Sequence, residues 1–177
     1  MGSASRAELG AFAFCDLAGF TSFTEERGDD AALALVEAFR REVQAALPPS
    51  GRIANRVGDG LLLHIAEPAE AVAALLRITD RCRAASTGEM PLWIRTGLHR
   101  GEARRLGDDL IGHDVNVAAR ISALAAASEV LVSEQVRSEH PETDVRFEAL
   151  GPVFVKGVTA PLRLFRASWV VAPIATG

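Results

Sequence analysis

The strongest constraint on this chain's fold is the order in which two kinds of hydrophobic spacing succeed one another. Ala11–Asp16 reads AFAFCD, placing Phe12 and Phe14 on one face of a short extended run before a break at Gly19. From Phe20 to about Leu47 the spacing becomes helical, with Leu33, Val36, Phe39, Val43 and Leu47 in phase, until Pro48, Pro49 and Gly51 end it. Arg52–Val57 and Leu61–Ile65 flank Gly58-Asp59-Gly60 as a hairpin with an aspartate at its tip. Glu67-Pro68 opens a second amphipathic helix to about Arg83, Ser86–Pro91 forms a loop, and Leu92–His99 is a third strand. This β-α-β-β-α-β order predicts a ferredoxin-like α+β fold, one antiparallel sheet with its helices packed on one face.

The remainder adds to that plan. Gly101–Ile111 reads as a short two-stranded excursion around Gly107-Asp108, and His113–Ala127 as a helix with Val117, Ile121 and Leu124 on one side. The alanines of Ala123–Ala127 fit a packed helix face. Glu129–Val132 is a short strand, and Ser133 is placed to cap a brief helix over Glu134–Glu139. Val145–Leu150, Val153–Val155 and Leu162–Phe165 supply extra C-terminal strands. The expected organisation is one domain over residues 11–168 with short tails at 1–10 and 169–177, leaving no room for a second regulatory domain.

Composition excludes several classes of function. With 49% hydrophobic and 24% charged residues the chain matches a globular domain rather than a disordered or fibrous one. Its longest apolar stretches, around Gly60–Leu63, fall far short of the ~20 residues of a membrane helix, and residues 1–10 lack a secretory apolar core. Cys15 and Cys82 have no CxxC spacing, so neither a disulfide framework nor a zinc site is expected, and the expected location is the cytoplasm. A net charge of −4 without a basic run argues against nucleic acid as a partner. It leaves room for a phosphorylated ligand held by a few placed groups and by metal ions. Lys156 is the only lysine among the 19 basic residues.

Two aspartates carry the chemistry. Asp16 ends the first strand and Asp59 tips the hairpin, and in a ferredoxin-like sheet these elements lie side by side, so the carboxylates can converge on Mg²⁺ or Mn²⁺. Each alone is equally at home as a helix cap or an ordinary Asp-Gly turn. The turn after Asp16, Leu17-Ala18-Gly19-Phe20-Thr21, enters a helix and offers an anion site in Gly19, Phe20 and Thr21, or is simply a strand-to-helix turn. Asn116 and Arg120, four apart, share a helix face.

Five ordered segments, FAFCDLAGFTSFTEERGD (12–29), NRVGDGLLLHI (55–65), IRTGLHRGEA (94–103), DLIGHDVNVAARI (109–121) and VFVKGVTAPLRLF (153–165), resemble the motifs of class III nucleotidyl cyclase catalytic domains. The likeness is greatest to bacterial modules with a short hairpin arm. It implies attack of a nucleoside triphosphate's ribose 3′-hydroxyl on its own α-phosphate, giving a 3′,5′-cyclic nucleotide and pyrophosphate. It also implies that Asp16, Asp59 and the Leu17 carbonyl hold two divalent cations, Mg or Mn. By the same resemblance Asn116 orients the ribose, Arg120 stabilises the transition state, and Lys156 contacts the terminal phosphates. Sites would be shared across a homodimer, the metal aspartates of one protomer facing the Asn/Arg and purine-binding residues of the other.

The purine pair falls on Asn55 and Asp109. Members that use adenine typically have Lys with Asp or Thr there, and those that use guanine have Glu with Cys. Asn55 departs from both, and because its amide both donates and accepts, ATP is favoured over GTP with reduced stringency. Glu102 stands where some members carry a phosphate-binding arginine, and is expected to face solvent or Arg104. His99 and His113 are expected to pack rather than to bind metal. The alternatives to an adenylate cyclase are a guanylate cyclase or relaxed purine use, and a catalytically weak nucleotide-binding or dimerisation module.

Overall fold

The computed structural model describes residues 6–107, 109–140 and 144–170. Its core follows the expected order: strand β1 (Ala7–Leu17), helices α1 (Phe20–Arg27) and α2 (Asp29–Ala46), hairpin β2 (Gly51–Val57) and β3 (Gly60–Ile65), helix α3 (Pro68–Ala85) and strand β4 (Ile94–Leu106). Then come β5 (Asp109–Ile111), α4 (His113–Ser122), β6 (Glu129–Ser133), α5 (Glu134–Glu139), β7 (Val145–Val153) and β8 (Leu162–Trp169). The sheet runs β2-β3-β1-β4-β6-β8-β7, with β5 folded back on the end of β4. Its first four strands are antiparallel in ferredoxin order, and β6 joins β4 in parallel.

Alternation along β1 explains both layers. Ala11, Ala13, Cys15 and Leu17 face a core built with Leu35, Phe39 and Val43 of α2 and Val72, Leu75 and Ile78 of α3. Phe12 and Phe14 point the other way, into a second cluster with Val115 and Ala118 of α4. The helices of the βαββαβ core thus share one face, as expected, whereas α4 covers the opposite face. It lies close because β4 presents glycines: a Cβ at Gly97 would come within 2.1 Å of the Ser122 nitrogen and 2.5 Å of the Ala118 oxygen.

Several local readings are corrected. The long helix from Phe20 is two helices, because Gly28 adopts φ 81 and restarts the chain at Asp29. Of the expected inward residues, Val36, Phe39, Val43 and Leu47 pack on the core, joined by Ala32, Leu35 and Ala38, whereas Leu33 is exposed. The α4 helix stops at Ser122, so the following alanines form turns, with Leu124 exposed and Ser128 at φ 61. Ser133 precedes α5 without capping it; its hydroxyl is bonded instead to His99 Nδ1 at 2.9 Å. Val153 belongs to β7, which continues through a bulge between Ala149 and Gly151. Cys15 and Cys82 are both buried and free.

Candidate active site

The register of β1 against β3 places Cys15 opposite Leu61, so the next residue, Asp16, comes beside the β2–β3 turn that carries Asp59. The two carboxyls share a hydrogen bond. Burial first, then that bond and the Asp16 charge, push Asp59 up to about 6, partly offset by its own backbone N–H and by Arg95. Two carboxyls crowded until one resists ionisation form a donor pair suited to a hard divalent cation. Among the described residues no third His, Cys, Asp or Glu joins them, so further ligands must come from backbone, water or substrate. Leu17, the last residue of β1, is buried one step beyond Asp16.

The turn that follows is open. Gly19 takes the left-handed conformation (φ 76), precedes α1 without any side-chain cap, and has nothing within 4 Å of where a Cβ would stand. The first N–H groups of α1, from Phe20 and Thr21 onward, therefore lack a capping side chain. The Ala18 N–H is used otherwise, donating to the Trp93 carbonyl at 2.7 Å.

A second group of predicted residues gathers elsewhere. Asn55 and Asp109, distant in sequence, line one open groove of about 500 Å³ with Arg40, Gln44 and Arg52. Asn55 also borders a cavity of about 270 Å³ with Asn116, Phe14 and Ile111. Asp16 and Asp59 line neither. The Asn55 Oδ1 accepts the Arg56 N–H at 2.6 Å and keeps a second lone pair, so Asn55 can still both donate and accept toward a ligand.

On α4, Val115, Ala118 and Ile121 face the sheet, leaving Asn116 exposed and Arg120 half-buried. The Arg120 guanidinium lies against the turn after β7, where a Cβ on Gly157 would stand 2.5 Å from its Nη1. Arg120 is thereby set next to exposed Lys156. Glu102 points outward and pairs with Arg104 at 3.2 Å, as expected. His99 is buried, its charged form disfavoured by burial despite the nearby Asp114. The α4 start is held at the same place, where Asp114 Oδ2 accepts the Glu102 N–H at 2.7 Å.

One charged residue escaped the sequence reading. Arg95 faces Asp16 across the β1–β4 ladder and forms an ion pair with it. The pairing spans 79 positions, and without the strand register nothing in the sequence joins the two residues.

A family model described as the adenylate and guanylate cyclase catalytic domain matches residues 63–167, a span that includes Asp109, Asn116, Arg120 and Lys156. An uncharacterised protein of Mycobacterium tuberculosis is 31% identical over 155 residues, covering 86% of this chain and 39% of the relative. A putative adenylate cyclase 3 of Rhizobium meliloti is 30% identical over 167 residues, covering 90% of this chain and 28% of the relative. Among solved structures, the adenylate/guanylate cyclase/hydrolase of Silicibacter pomeroyi superposes with a TM-score of 0.78 at 27% identity, covering 95% of this chain and 99% of that one. The chain belongs to the adenylate/guanylate cyclase catalytic-domain family. It spans well under half the length of these curated relatives.

Proposed function

We propose that this domain is a homodimeric adenylate cyclase that converts ATP to 3′,5′-cyclic AMP and pyrophosphate. The observation that carries the reading is the convergence of Asp16 and Asp59, one from a strand end and one from a hairpin tip, with the Asp59 carboxyl pushed up to about 6 by burial and by its neighbour. Asp16, Asp59 and the Leu17 carbonyl are the groups that would hold two divalent cations, Mg²⁺ or Mn²⁺. Such ions supply Lewis-acid activation of the ribose 3′-hydroxyl and neutralise the triphosphate.

The chain's own residues do the remaining work. The open turn at Gly19, Phe20 and Thr21 receives phosphate oxygens on the uncapped N–H groups of α1. Asn116 orients the ribose, Arg120 meets the charge that develops at the α-phosphate, and Lys156 holds the terminal phosphates. Asp109 accepts from the exocyclic amine of adenine. The Asn55 amide can donate to adenine N1 but does not exclude guanine, so ATP is favoured over GTP with reduced stringency.

The separation of the two residue groups supports a shared site. Asp16 and Asp59 border neither cavity that holds Asn55, Asp109 and Asn116, so one protomer is read as supplying the metal half and its partner the purine and Asn/Arg half. Exposed apolar residues are available for such an interface: Phe154 beside Lys156 is 81% exposed and Leu106 on the β4–β5 hairpin is 68% exposed. Nucleic acid is not a partner in this reading. Among the described residues no helix is long and apolar enough to cross a membrane, and a cytoplasmic location belongs to the same proposal.

The test is direct. Purified protein with Mn²⁺ and ATP should yield cyclic AMP, less cyclic GMP from GTP, and neither when Asp59→Ala is used. Product from neither nucleotide in a dimeric, nucleotide-binding protein would leave the non-catalytic reading. Asn55→Lys should raise the ATP/GTP ratio, and an unchanged ratio removes Asn55 from the purine site.

A further inference from the structure

Glu8, near the start of β1, is bonded to arginines on β2 and β4, the strands next to Asn55 and Asp109. Alternation puts it on the same face as Phe12, and the register sets His64 of β3 and Arg52 of β2 on that face as well. Arg105 of β4 stands there too, opposite Leu110 of β5. The two guanidiniums divide the carboxylate between them: Arg105 Nε donates to Oε1 at 2.5 Å and Arg52 Nη2 to Oε2 at 2.5 Å. Burial works against ionisation, yet the bonds from Arg105 and Arg52 hold the Glu8 carboxyl below its ordinary range. The backbone on either side is fixed. The Arg105 N–H donates to the Arg6 carbonyl at 3.1 Å, and His64, stacked on Phe12, donates from Nε2 to the Leu9 carbonyl at 3.1 Å.

Arg52 also borders the groove of about 500 Å³ that holds Asn55 and Asp109. Arg40 and Arg56 border it as well, yet Asp109 forms no ion pair among the described residues. We infer that Glu8 is a positioning residue for purine recognition: it keeps the Arg52 guanidinium from pairing with Asp109, so that the Asp109 carboxylate stays free for the exocyclic amine of adenine. The inference rests on the purine role proposed above for Asp109. An arginine fork on Asp109 would take the lone pairs that the amine needs, and a charged guanidinium outcompetes a neutral amine for them. Glu8 withdraws that competitor by offering Arg52 a more sheltered carboxylate, 13% exposed, whose other oxygen Arg105 already holds.

The experiment measures kcat and KM in Mn²⁺ for ATP and for purine riboside 5′-triphosphate, which lacks the exocyclic amine. Glu8→Gln should raise the KM for ATP about tenfold, with kcat and the KM for purine riboside triphosphate within about twofold of the wild type. Adding Arg52→Gln to that variant should return the KM for ATP to within about threefold of the wild type. Equal rises for both nucleotides, no rise for ATP, or no recovery on adding Arg52→Gln overturns the role given to Glu8. Should a thermal melt find Glu8→Gln unfolded, Glu8→Asp takes its place. Its shorter carboxylate cannot hold both arginines, so the KM for ATP should rise about threefold, and a wild-type value overturns the inference. Asp109→Ala should abolish the preference for ATP over purine riboside triphosphate. A preference that survives it, or a wild type that cyclises neither nucleotide, overturns the purine reading of Asp109 and this inference with it.

Discussion

Asp59→Asn should make the metal-free protein more stable at neutral pH, although it removes a residue from the site. The folded chain holds Asp59 near 6, well above the usual 3.8, by burial and by the adjacent Asp16. A carboxyl raised in this way binds more protons folded than unfolded between those two values. Its contribution to stability is therefore fully present below the ordinary value and is lost as pH rises through about 6. At about 1.36 kcal/mol per pKa unit the whole difference would amount to about 3 kcal/mol. Asp59 is only half-buried, so solvent screens much of this, and about 1 kcal/mol is the expected gain for the neutral amide at pH 7.5. For a chain of this size that corresponds to a rise of about 3 °C in melting temperature.

The assay is a thermal melt in EDTA at pH 4.5, 6 and 7.5, followed by the same series with Mn²⁺. The wild type should lose stability across that range relative to Asp59→Asn, and Mn²⁺ should stabilise the wild type while leaving the variant nearly unchanged. A variant less stable than the wild type at pH 7.5 in EDTA, with the same pH slope, would show that the two carboxyls are not in conflict.

Three further outcomes follow from the packing. Gly97→Ala puts a methyl group 2.1 Å from the Ser122 nitrogen, so α4 must lift off β4 at a cost of about 3 kcal/mol, visible as a lower denaturation midpoint. Gly157→Ala displaces the Arg120 guanidinium and strains a residue at φ 77, and kcat should fall about 100-fold with Mn²⁺ affinity unchanged. Phe154→Ser removes an exposed aromatic and should shift the proposed dimer toward monomer in sedimentation velocity, with activity becoming protein-concentration dependent.

Much of the core was legible because it depends on local spacing. The phenylalanines of β1, the glycine-bounded Asp59 turn and the Pro68 helix start each declare themselves within a few residues. What was illegible depends on contacts between distant segments. Leu33 is in helical phase with Val36 and Phe39, yet near the start of α2 it is exposed while Phe39 is buried. Ser133 has the composition of a cap, but His99 takes its hydroxyl from another strand. Likewise the turns that carry Asp16 and Asp59 are local features of the sequence, while the pairing of Arg95 with Asp16 depends on the β1–β4 register. The crossing of α4 on the far face follows from glycines on β4, whose role appears only when the helix lies against them.

The central claim is that each protomer supplies half of each active site, and complementation tests it most directly. Asp59→Ala removes the metal half and Arg120→Ala the opposite half, so each variant alone should be inactive with ATP and Mn²⁺. Mixed in equal amounts and allowed to exchange, half of the dimers are heterodimers with one intact site, and activity should return to about one quarter of the wild-type value. A mixture that remains as inactive as its components, with heterodimers demonstrated by mass, would contradict the shared site.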